Sequence, residues 1–444
     1  MTQAGWNRRI WAFAGPVILS NISVPLLGAV DTAVVGRLPG PHYLGAVAVG
    51  ALIFSVLYAG LFFLRMGTTG LTAQSHGRRS VIEVHEWLLR ALALAVALGV
   101  LITALQWPIG RAAFAIVAPS SEVAELAERY YQVRIFGAPF ALINLALLGW
   151  FFGVQNTRAA LITQLYLNGS NIGLDIAFVQ GLGWGVPGVA WATLISEVSA
   201  AALGLFFARR QLRALRARAA EPAPPGSLDL WNRTALARMF SVNRDIFIRS
   251  MCLQAAITTF TSLGARMSDQ VLATNAVLIN FQWFMSYGLD GFANAAESFV
   301  GEAVGSRSRT RLRAAVKAST QWALILAVAF TLAYALLGPL LIDTLTHVDD
   351  VRSSAREYLP WAVLLPLLSV WSFQLDGIFV GATGTRAMRN SMLLSLLVFA
   401  GALAALVPTW DNHGLWAAFA IFMVARALTL GAYYPALERQ VGEE

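Results

Sequence analysis

The chain contains one long internal repeat. A shift of 228 positions matches residues of its two halves, and the recurring residues of the first half include Gly36, Gly77, Gly149, Gly153 and Arg158. Their counterparts are Gly264, Gly305, Gly377, Gly381 and Arg386. The segment GVQNTRA is echoed by GATGTRA, and each half of about 220 residues is mostly apolar. Any fold for this chain must therefore build the same hydrophobic unit twice.

The composition places this repeat in a membrane. Hydrophobic residues make up 57% of the chain, charged residues 13%, and the mean hydropathy is +0.62, which leaves too little polar surface to cover a soluble protein of 444 residues. The net charge of +8 lies in short clusters between apolar runs, which argues against a nucleic-acid partner. Cys252 is the one cysteine, and the five histidines show no metal-ligand spacing. A duplicated hydrophobic half is typical of secondary transporters.

Apolar runs of about 20 residues predict an all-α membrane protein with twelve transmembrane helices, six in each half. The predicted spans of the first half are 12–36, 45–72, 91–111, 130–154, 159–182 and 187–208. Those of the second half are 246–265, 271–304, 318–342, 358–382, 390–409 and 414–436. Residues 7–9 followed by an apolar run could begin a signal peptide, but the run continues to Val35 and is better interpreted as the first span.

The basic residues predict the orientation of these spans. An even number of spans puts both termini on one side, and 22 of the 32 Lys and Arg residues fall in the tails and in the turns after even-numbered spans. Only six fall in the opposite loops, so we expect both termini to be cytoplasmic.

The halves are predicted to form two pseudo-symmetric lobes joined by a charged linker. We expect an N-terminal lobe over 1–208, a cytoplasmic basic and proline-rich linker over 209–242, and a C-terminal lobe over 243–444. The spacing of Leu212 and Leu215 among arginines suggests a helix on the anionic inner leaflet. Pro222, Pro224 and Pro225 would form the tether between lobes, with or without a regulatory role.

Two acids stand out inside the spans of the first half, where an ionisable residue costs roughly 2.5–3.5 kcal/mol on insertion scales. Asp31 lies in the first span and Asp175 in the fifth. A rise of 1.5 Å per residue places them roughly 28 Å and 24 Å from the cytoplasmic edge, at a shared depth. Asn171 lies on the Asp175 face, and Thr193 of the sixth span reaches a similar level, so one pocket can hold all four.

The repeat provides a control for this pocket, since scaffold residues should recur whereas a functional site need not. Asp31 aligns with Thr259, and Asp175 with Leu403 or, after a local two-residue shift, with Gly401. Neither acid is duplicated, which favours an ion-coupling site confined to the N-terminal lobe. The alternative is that each aspartate only hydrogen-bonds a neighbouring helix.

A pocket with two carboxylates suits cation exchange because burial and mutual repulsion disfavour two adjacent negative charges. Sodium could be held by the same oxygens together with Asn171 and Thr193, so the coupling ion is H⁺ or Na⁺ and no other metal or cofactor is expected. Pro16 and Pro25 interrupt the hydrogen-bond ladder of the first span and could serve as hinges or only as static kinks.

Several other charged or polar residues lie inside predicted spans. Those of the C-terminal half are Asp290, Asn294 and Glu297 on the eighth span and Asp376 on the tenth. They could line a path for a cationic substrate or pair with Arg249 and Arg426 as internal struts. Arg65 in the second span is interpreted as neutralising an acid rather than binding substrate. Enzyme motifs are lacking: His85-Glu86 has no second histidine, and the segment 381–386 has no P-loop lysine, so no catalytic residue is assigned.

Six segments together resemble the multidrug and toxic compound extrusion (MATE) family of the MOP superfamily, specifically its DinF branch. They are PVILSNISVPLLGAVDTAVVGRL at 16–38, YLGAVAVG at 43–50, FLRMGTTGLTAQ at 63–74, NRDIFIRS at 243–250, LDGFANAAE at 289–297 and QLDGIFVGATGTRAMRN at 374–390. The resemblance covers essentially the whole chain and implies two six-helix lobes that export organic, often cationic, drugs in exchange for H⁺ or Na⁺. By motif, the cation-site residues of the family fall on Asp31, Asn171, Asp175 and Thr193, and the bending proline falls on Pro16.

The resemblance implies a monomeric transporter of the bacterial cytoplasmic (inner) membrane, with membrane lipids and small cationic or amphipathic substrates as its partners. The DinF branch favours protons over sodium. A flippase or exporter of lipid-linked intermediates from the same superfamily is the alternative, and the acids at Asp31, Asp175, Asp290 and Glu297 argue against an anionic head group in the cavity.

Overall fold

The computed structural model describes residues 2–218 and 228–442, and almost all of them are helical. The helices of the first half are α1 (Gln3–Val35), α2 (Pro41–Ala59), α3 (Phe63–Gly77), α4 (Val81–Ala104), α5 (Gln106–Val117), α6 (Ser121–Arg134), α7 (Ala138–Gly153), α8 (Thr157–Asp175) and α9 (Gly185–Arg218). Those of the second half are α10 (Arg233–Met267), α11 (Asp269–Gly305), α12 (Arg309–Leu345), α13 (Asp349–Gly381), α14 (Thr385–Gly431) and α15 (Tyr434–Gln440).

These helices supply twelve passes through a membrane. Within the described residues, nine helical stretches are long and apolar enough to cross a bilayer. One of them holds two passes, because Asp411 has non-helical backbone angles and divides α14 at a kink. The more polar α8 and α11 complete the twelve. Short 3₁₀ turns join α2 to α3 and α6 to α7, so each of those pairs forms a single pass.

The helix boundaries repeat with the same 228-residue period as the sequence. α2, α4, α6 and α8 begin at residues 41, 81, 121 and 157, and α11, α12, α13 and α14 begin at 269, 309, 349 and 385. Ser80 caps α4 by accepting a hydrogen bond from the Glu83 amide, and Ser308 caps α12 in the same way from the Arg311 amide. The local signals that start a helix are therefore duplicated along with the apolar runs.

Two glycines in each half allow one pair of helices to cross at close range. A Cβ atom at Gly149 of α7 would collide with the backbone carbonyl of Arg65 on α3, and one at Gly377 of α13 would collide with that of Ala293 on α11. One turn further along, a Cβ atom at Gly381 would collide with the Glu297 carbonyl, and one at Gly153 would collide with the Thr72 side chain. Small residues that let helix backbones approach are a recurrent device of membrane bundles, where apolar burial alone does not drive helix association.

The chain divides into two compact units. One consists of Leu19–Ala237, and the other of Met1–Ile18 together with Arg238–Glu444. The first 18 residues thus group with the second half of the chain, where Trp6 packs edge-on against Phe299 and Arg9 forms an ion pair with Glu302. The sequence had grouped these residues with the N-terminal lobe, because chain order alone does not reveal which helices the start of α1 contacts.

Some predicted boundaries need correction. The third span, predicted over 91–111, crosses a break at Leu105, where α4 ends and α5 begins with Pro108 in its first turn. The basic helix predicted after residue 208 is present as the last turns of α9, which runs without interruption to Arg218. The prolines at 222, 224 and 225 lie outside the described residues. Asp229 and Leu230 lie along α4, since Arg90 donates hydrogen bonds to both of their backbone carbonyls.

Candidate functional site

Asp31 and Asp175 meet inside the unit Leu19–Ala237. Asp31 lies one turn before the end of α1, and Asp175 is the last residue of α8. Their carboxyl groups are close enough for a hydrogen bond between them once one carries a proton. Asp175 is fully buried, and Asp31 is half-buried with its Oδ1 atom inaccessible. The sequence placed Asp31 and Asp175 at the same depth in the membrane, and in the structure the two side chains lie next to each other.

The two carboxyl groups lack donors from the rest of the described chain. Neither oxygen of Asp175, nor Oδ1 of Asp31, accepts a hydrogen bond from a described protein group when both acids are ionised. Two facing carboxylates are both acceptors and repel each other, most strongly where burial lowers the effective dielectric constant. A proton or a small cation between them would relieve this repulsion, so these oxygens fit the chemistry of a coupling ion.

Asn171 and Thr193 form one wall of this region. The Asn171 amide, which is buried one helical turn before Asp175, donates from Nδ2 to Thr193 Oγ1 at 3.2 Å. The Thr193 hydroxyl in turn donates to the Val189 carbonyl at 2.9 Å. The pair ties α8 to α9. The Thr193 hydroxyl therefore accepts from Asn171 and gives its own proton to the backbone of α9.

Local backbone structure positions the acids. After Asp175 the helix widens into a π-helical turn over Ile176–Gly181, a distortion found frequently at functional sites. Tyr130 of α6 lies near both acids and packs its ring against Gly50 of α2, where a Cβ atom would collide with it. On the other side, α1 is continuous across Pro16 and Pro25. Ser23, between these prolines, accepts a 2.7 Å hydrogen bond from the buried Asn168 amide of α8.

A buried ion pair in the same unit was missed by the sequence analysis. Arg134 of α6 donates two hydrogen bonds to Glu197 of α9, at 2.9 and 2.6 Å, and both side chains are over 90% buried. The Arg134 guanidinium also lies 5.1 Å from the centre of the Phe54 ring. The sequence did contain a sign of this pair. Four arginines fall inside the predicted spans and not in the loops: Arg65, Arg134, Arg249 and Arg426.

The second unit holds its own charged cluster. Asp376 of α13 accepts hydrogen bonds from Arg249 of α10 and from Arg426 of α14, the latter at 2.8 Å. Asp290 of α11 lies near Arg426. On the same helix Asn294 and Glu297 are buried. Of the two interpretations offered by the sequence, the internal strut describes the geometry of Asp376 and its arginines.

Arg65 is buried among aromatic rings. Its guanidinium lies 4.9 Å from the centre of the Phe62 ring and 5.7 Å from that of Phe152, in the range of cation–π interactions. Its backbone carbonyl contacts Gly149 at the helix crossing. This residue therefore belongs to the packed interior of the unit Leu19–Ala237. Among the described residues, no group of three or more His, Cys, Asp or Glu side chains could hold a metal ion.

Two repeated six-helix halves that span a membrane, with a carboxylate pair inside one of them, define a membrane transporter and not an enzyme. The family model described as MatE matches residues 16–177 and 246–406, so the chain belongs to the MatE family of transporters.

The chain is similar to a bacterial protein, the DNA damage-inducible protein F of Escherichia coli (strain K12). The two are 42% identical over 428 residues, which cover 96% of this chain and 92% of that protein. The probable multidrug resistance protein NorM of Deinococcus radiodurans is 24% identical over 92% of this chain and 90% of its own length.

Solved structures show the same fold. A MATE transporter crystallised in the straight conformation superposes with a TM-score of 0.87 at 21% identity, covering 98% of this chain and 97% of the other. A MOP superfamily transporter from Pyrococcus furiosus gives 0.86 at 20% identity, covering 98% and 96%. The prediction of a DinF-type transporter of the MATE family with a MATE-like fold is confirmed.

Proposed function

We propose that this protein is a proton-driven exporter of organic cations and amphipathic toxic compounds in the bacterial cytoplasmic membrane, with both termini in the cytoplasm. The observation that carries the coupling is the contact between Asp31 and Asp175 inside the unit Leu19–Ala237. The export of toxic compounds is supported by the relatives, several of which are named multidrug resistance proteins. The orientation is supported by the concentration of arginines in one set of loops.

Protons suit the pair better than sodium does. A proton bound to either acid converts it into a hydrogen-bond donor to the other, which removes one charge and satisfies both groups in one step. A hard cation would need several oxygen ligands, about six in the protein sites of calcium or magnesium. In the hydrogen bond between Asn171 and Thr193, the Thr193 hydroxyl oxygen already accepts from the Asn171 amide, so one of its two acceptor positions is occupied.

Proton binding would act on α1, because Asp31 is the member of the pair that this helix carries. A neutral Asp31 no longer repels Asp175, so the outer half of α1 can pack more closely against α8. Pro16 and Pro25 provide two positions where the helix lacks a backbone hydrogen bond and can bend. We infer that protonation from outside favours a bent α1 and release of cargo, and that deprotonation towards the cytoplasm restores the straight helix.

Purified protein in liposomes tests this proposal. With a fluorescent organic cation such as ethidium as the probe, we expect an imposed pH gradient to drive its transport, and addition of the cation to release protons. An imposed Na⁺ gradient at uniform pH should have no effect. Transport driven by Na⁺ without proton movement would contradict proton coupling, and the absence of any cation-dependent transport would contradict the proposed substrate class.

A further inference from the structure

An open groove on the second unit has no assigned role. It has a volume of about 620 Å³ and lies between α12 and α13, with Tyr434 of α15 on its border. Its walls are apolar, formed by side chains such as Leu324, Ile325, Trp371 and Leu375. Ile325 and Trp371 are each close to half exposed, so the groove is accessible from outside the helix bundle.

The groove lies at the cytoplasmic edge of the hydrocarbon. Helix α12 begins at Arg309, amid a cluster of arginines typical of the cytoplasmic side, and its predicted apolar span begins at residue 318. Lys317 therefore lies at the boundary between headgroups and acyl chains. Ile325, eight residues further, is roughly 12 Å deeper along the helix.

Lys317 is the only lysine in the chain. It is exposed at the groove, and it forms no hydrogen bond or ion pair with the residues that the structure describes. Two neighbouring arginines differ in this respect: Arg309 and Arg313 both donate to Glu438 of α15. A flexible ammonium group at this depth extends towards the headgroup layer, where a phosphate is its natural partner.

Gln374 adds a polar group to the inner wall. Its side chain is 1% exposed, and neither Nε2 nor Oε1 has a hydrogen-bond partner in the described chain. A buried amide without partners costs free energy, so a ligand that only fills the groove with hydrocarbon leaves this cost unrelieved. The ester oxygens of a glycerolipid can accept hydrogen bonds from the amide.

We propose that this groove binds one anionic phospholipid of the cytoplasmic leaflet, with its phosphate on Lys317, an acyl chain along α12 and α13, and its ester region next to Gln374. Charge complementarity selects an anionic over a zwitterionic headgroup, and the apolar walls select a lipid over free phosphate. The Glu438 ion pairs hold α15 against α12 and so keep Tyr434 at the border of the groove. This site is independent of the Asp31–Asp175 pair.

The single lysine permits a direct test by amine acylation in nanodiscs. We expect an N-hydroxysuccinimide ester to modify Lys317 about fivefold more slowly in phosphatidylglycerol than in phosphatidylcholine, the factor for roughly 1 kcal/mol of attraction between the lysine and a net anionic headgroup. Peptide mass spectrometry reads the rate at Lys317, and the N-terminal amine serves as an internal reference for surface pH. Equal relative rates in the two lipids would overturn the proposal.

Native mass spectrometry of detergent-purified variants separates a specific site from general attraction. We expect Lys317→Gln to lose bound phosphatidylglycerol and Lys317→Arg to retain it. The control is Arg311→Gln, which removes the same charge from an exposed position six residues earlier on α12 and should leave binding unchanged. Equal loss in Lys317→Gln and Arg311→Gln, or equal retention of phosphatidylcholine by the wild type, would refute a specific anionic-lipid site. Because Lys317 is exposed, all three variants should fold, as size-exclusion chromatography would verify.

Discussion

The two halves of this protein share a backbone plan but differ in their buried charges. The helix starts, the capping serines and the close glycine crossings recur at a spacing of 228 residues. In the first half, two acids face each other with no donor from the described chain. In the second, Asp376 lies between two arginines. The repeated residues therefore build the helix scaffold. The residues that differ between the halves determine whether the buried acids of a half are paired with arginines or face each other.

The difference is electrostatic. An acid held by two guanidinium groups is fixed in place, because each arginine supplies directional hydrogen bonds. Two acids in contact have no such compensation and change their interaction each time a proton arrives or leaves. We therefore propose that the Asp376 cluster is a structural strut and that the Asp31–Asp175 pair is the proton switch.

The largest expected effect comes from neutralising either acid of the Asp31–Asp175 pair in the first half. We expect Asp31→Asn and Asp175→Asn each to reduce proton-driven transport in liposomes to the background of protein-free vesicles, with folding intact. The asparagine amide cannot bind and release a proton as a carboxyl group does, but it has nearly the same size and shape. The matched control is Thr259→Ala, at the position that corresponds to Asp31 in the second half. Proton-driven transport at the wild-type rate in Asp31→Asn would show that this pair does not couple proton movement to transport.

Removing an arginine that pairs with a buried acid should reduce the stability of the protein more than it affects proton-coupled transport. We expect Arg134→Ala to lower the free energy of unfolding by about 3–5 kcal/mol, because it leaves the buried Glu197 without the arginine that pairs with it. Arg249→Ala should cost less, because Arg426 still donates a hydrogen bond to Asp376. Unfolding in detergent, followed by circular dichroism, measures both changes. A stable Arg249→Ala protein that transports nothing would show that the cluster takes part in transport itself.

A smaller and symmetric effect is expected at the helix crossings. We predict that Gly149→Ala and Gly377→Ala each destabilise the protein by about 1–3 kcal/mol, because the added methyl group meets a backbone carbonyl on the neighbouring helix. Gly169→Ala and Gly401→Ala are controls in the same two halves, with no atom within 4 Å of the added methyl group. These controls should be neutral or slightly stabilising. Strongly unequal costs at Gly149 and Gly377 would show that the crossings are not equivalent.

The smallest effect is expected at the wall of the carboxylate region. Thr193→Val keeps the shape of the side chain but removes the acceptor for the Asn171 amide, at a cost of about 1 kcal/mol. Thermal unfolding should show a small decrease in midpoint, and proton-driven transport should persist. Loss of transport as complete as in Asp31→Asn would mean that Thr193 itself contributes a ligand to the coupling ion.

Much of this architecture could be predicted because its determinants are local. Apolar runs identify spans since a bilayer demands about 20 apolar residues, and glycine, serine and proline mark where helices cross, start and break. The asymmetry of Asp31 and Asp175 within the repeat was also visible in the sequence. The helix break at Leu105 was not, because the apolar run continues through it.

The sequence by itself determined a duplicated twelve-helix membrane protein with unmatched acids in its first half, because hydropathy and repeat spacing are properties of the chain alone. Only the tertiary structure decided which charges meet. Arg134 and Glu197 are 63 residues apart, and Arg249 and Asp376 are 127 apart. Spacing along the chain carries no information on such pairs, because the rotation of each helix about its axis is set by packing against its neighbours. The same packing brings Asp31 and Asp175 into contact and leaves Lys317 facing an open groove.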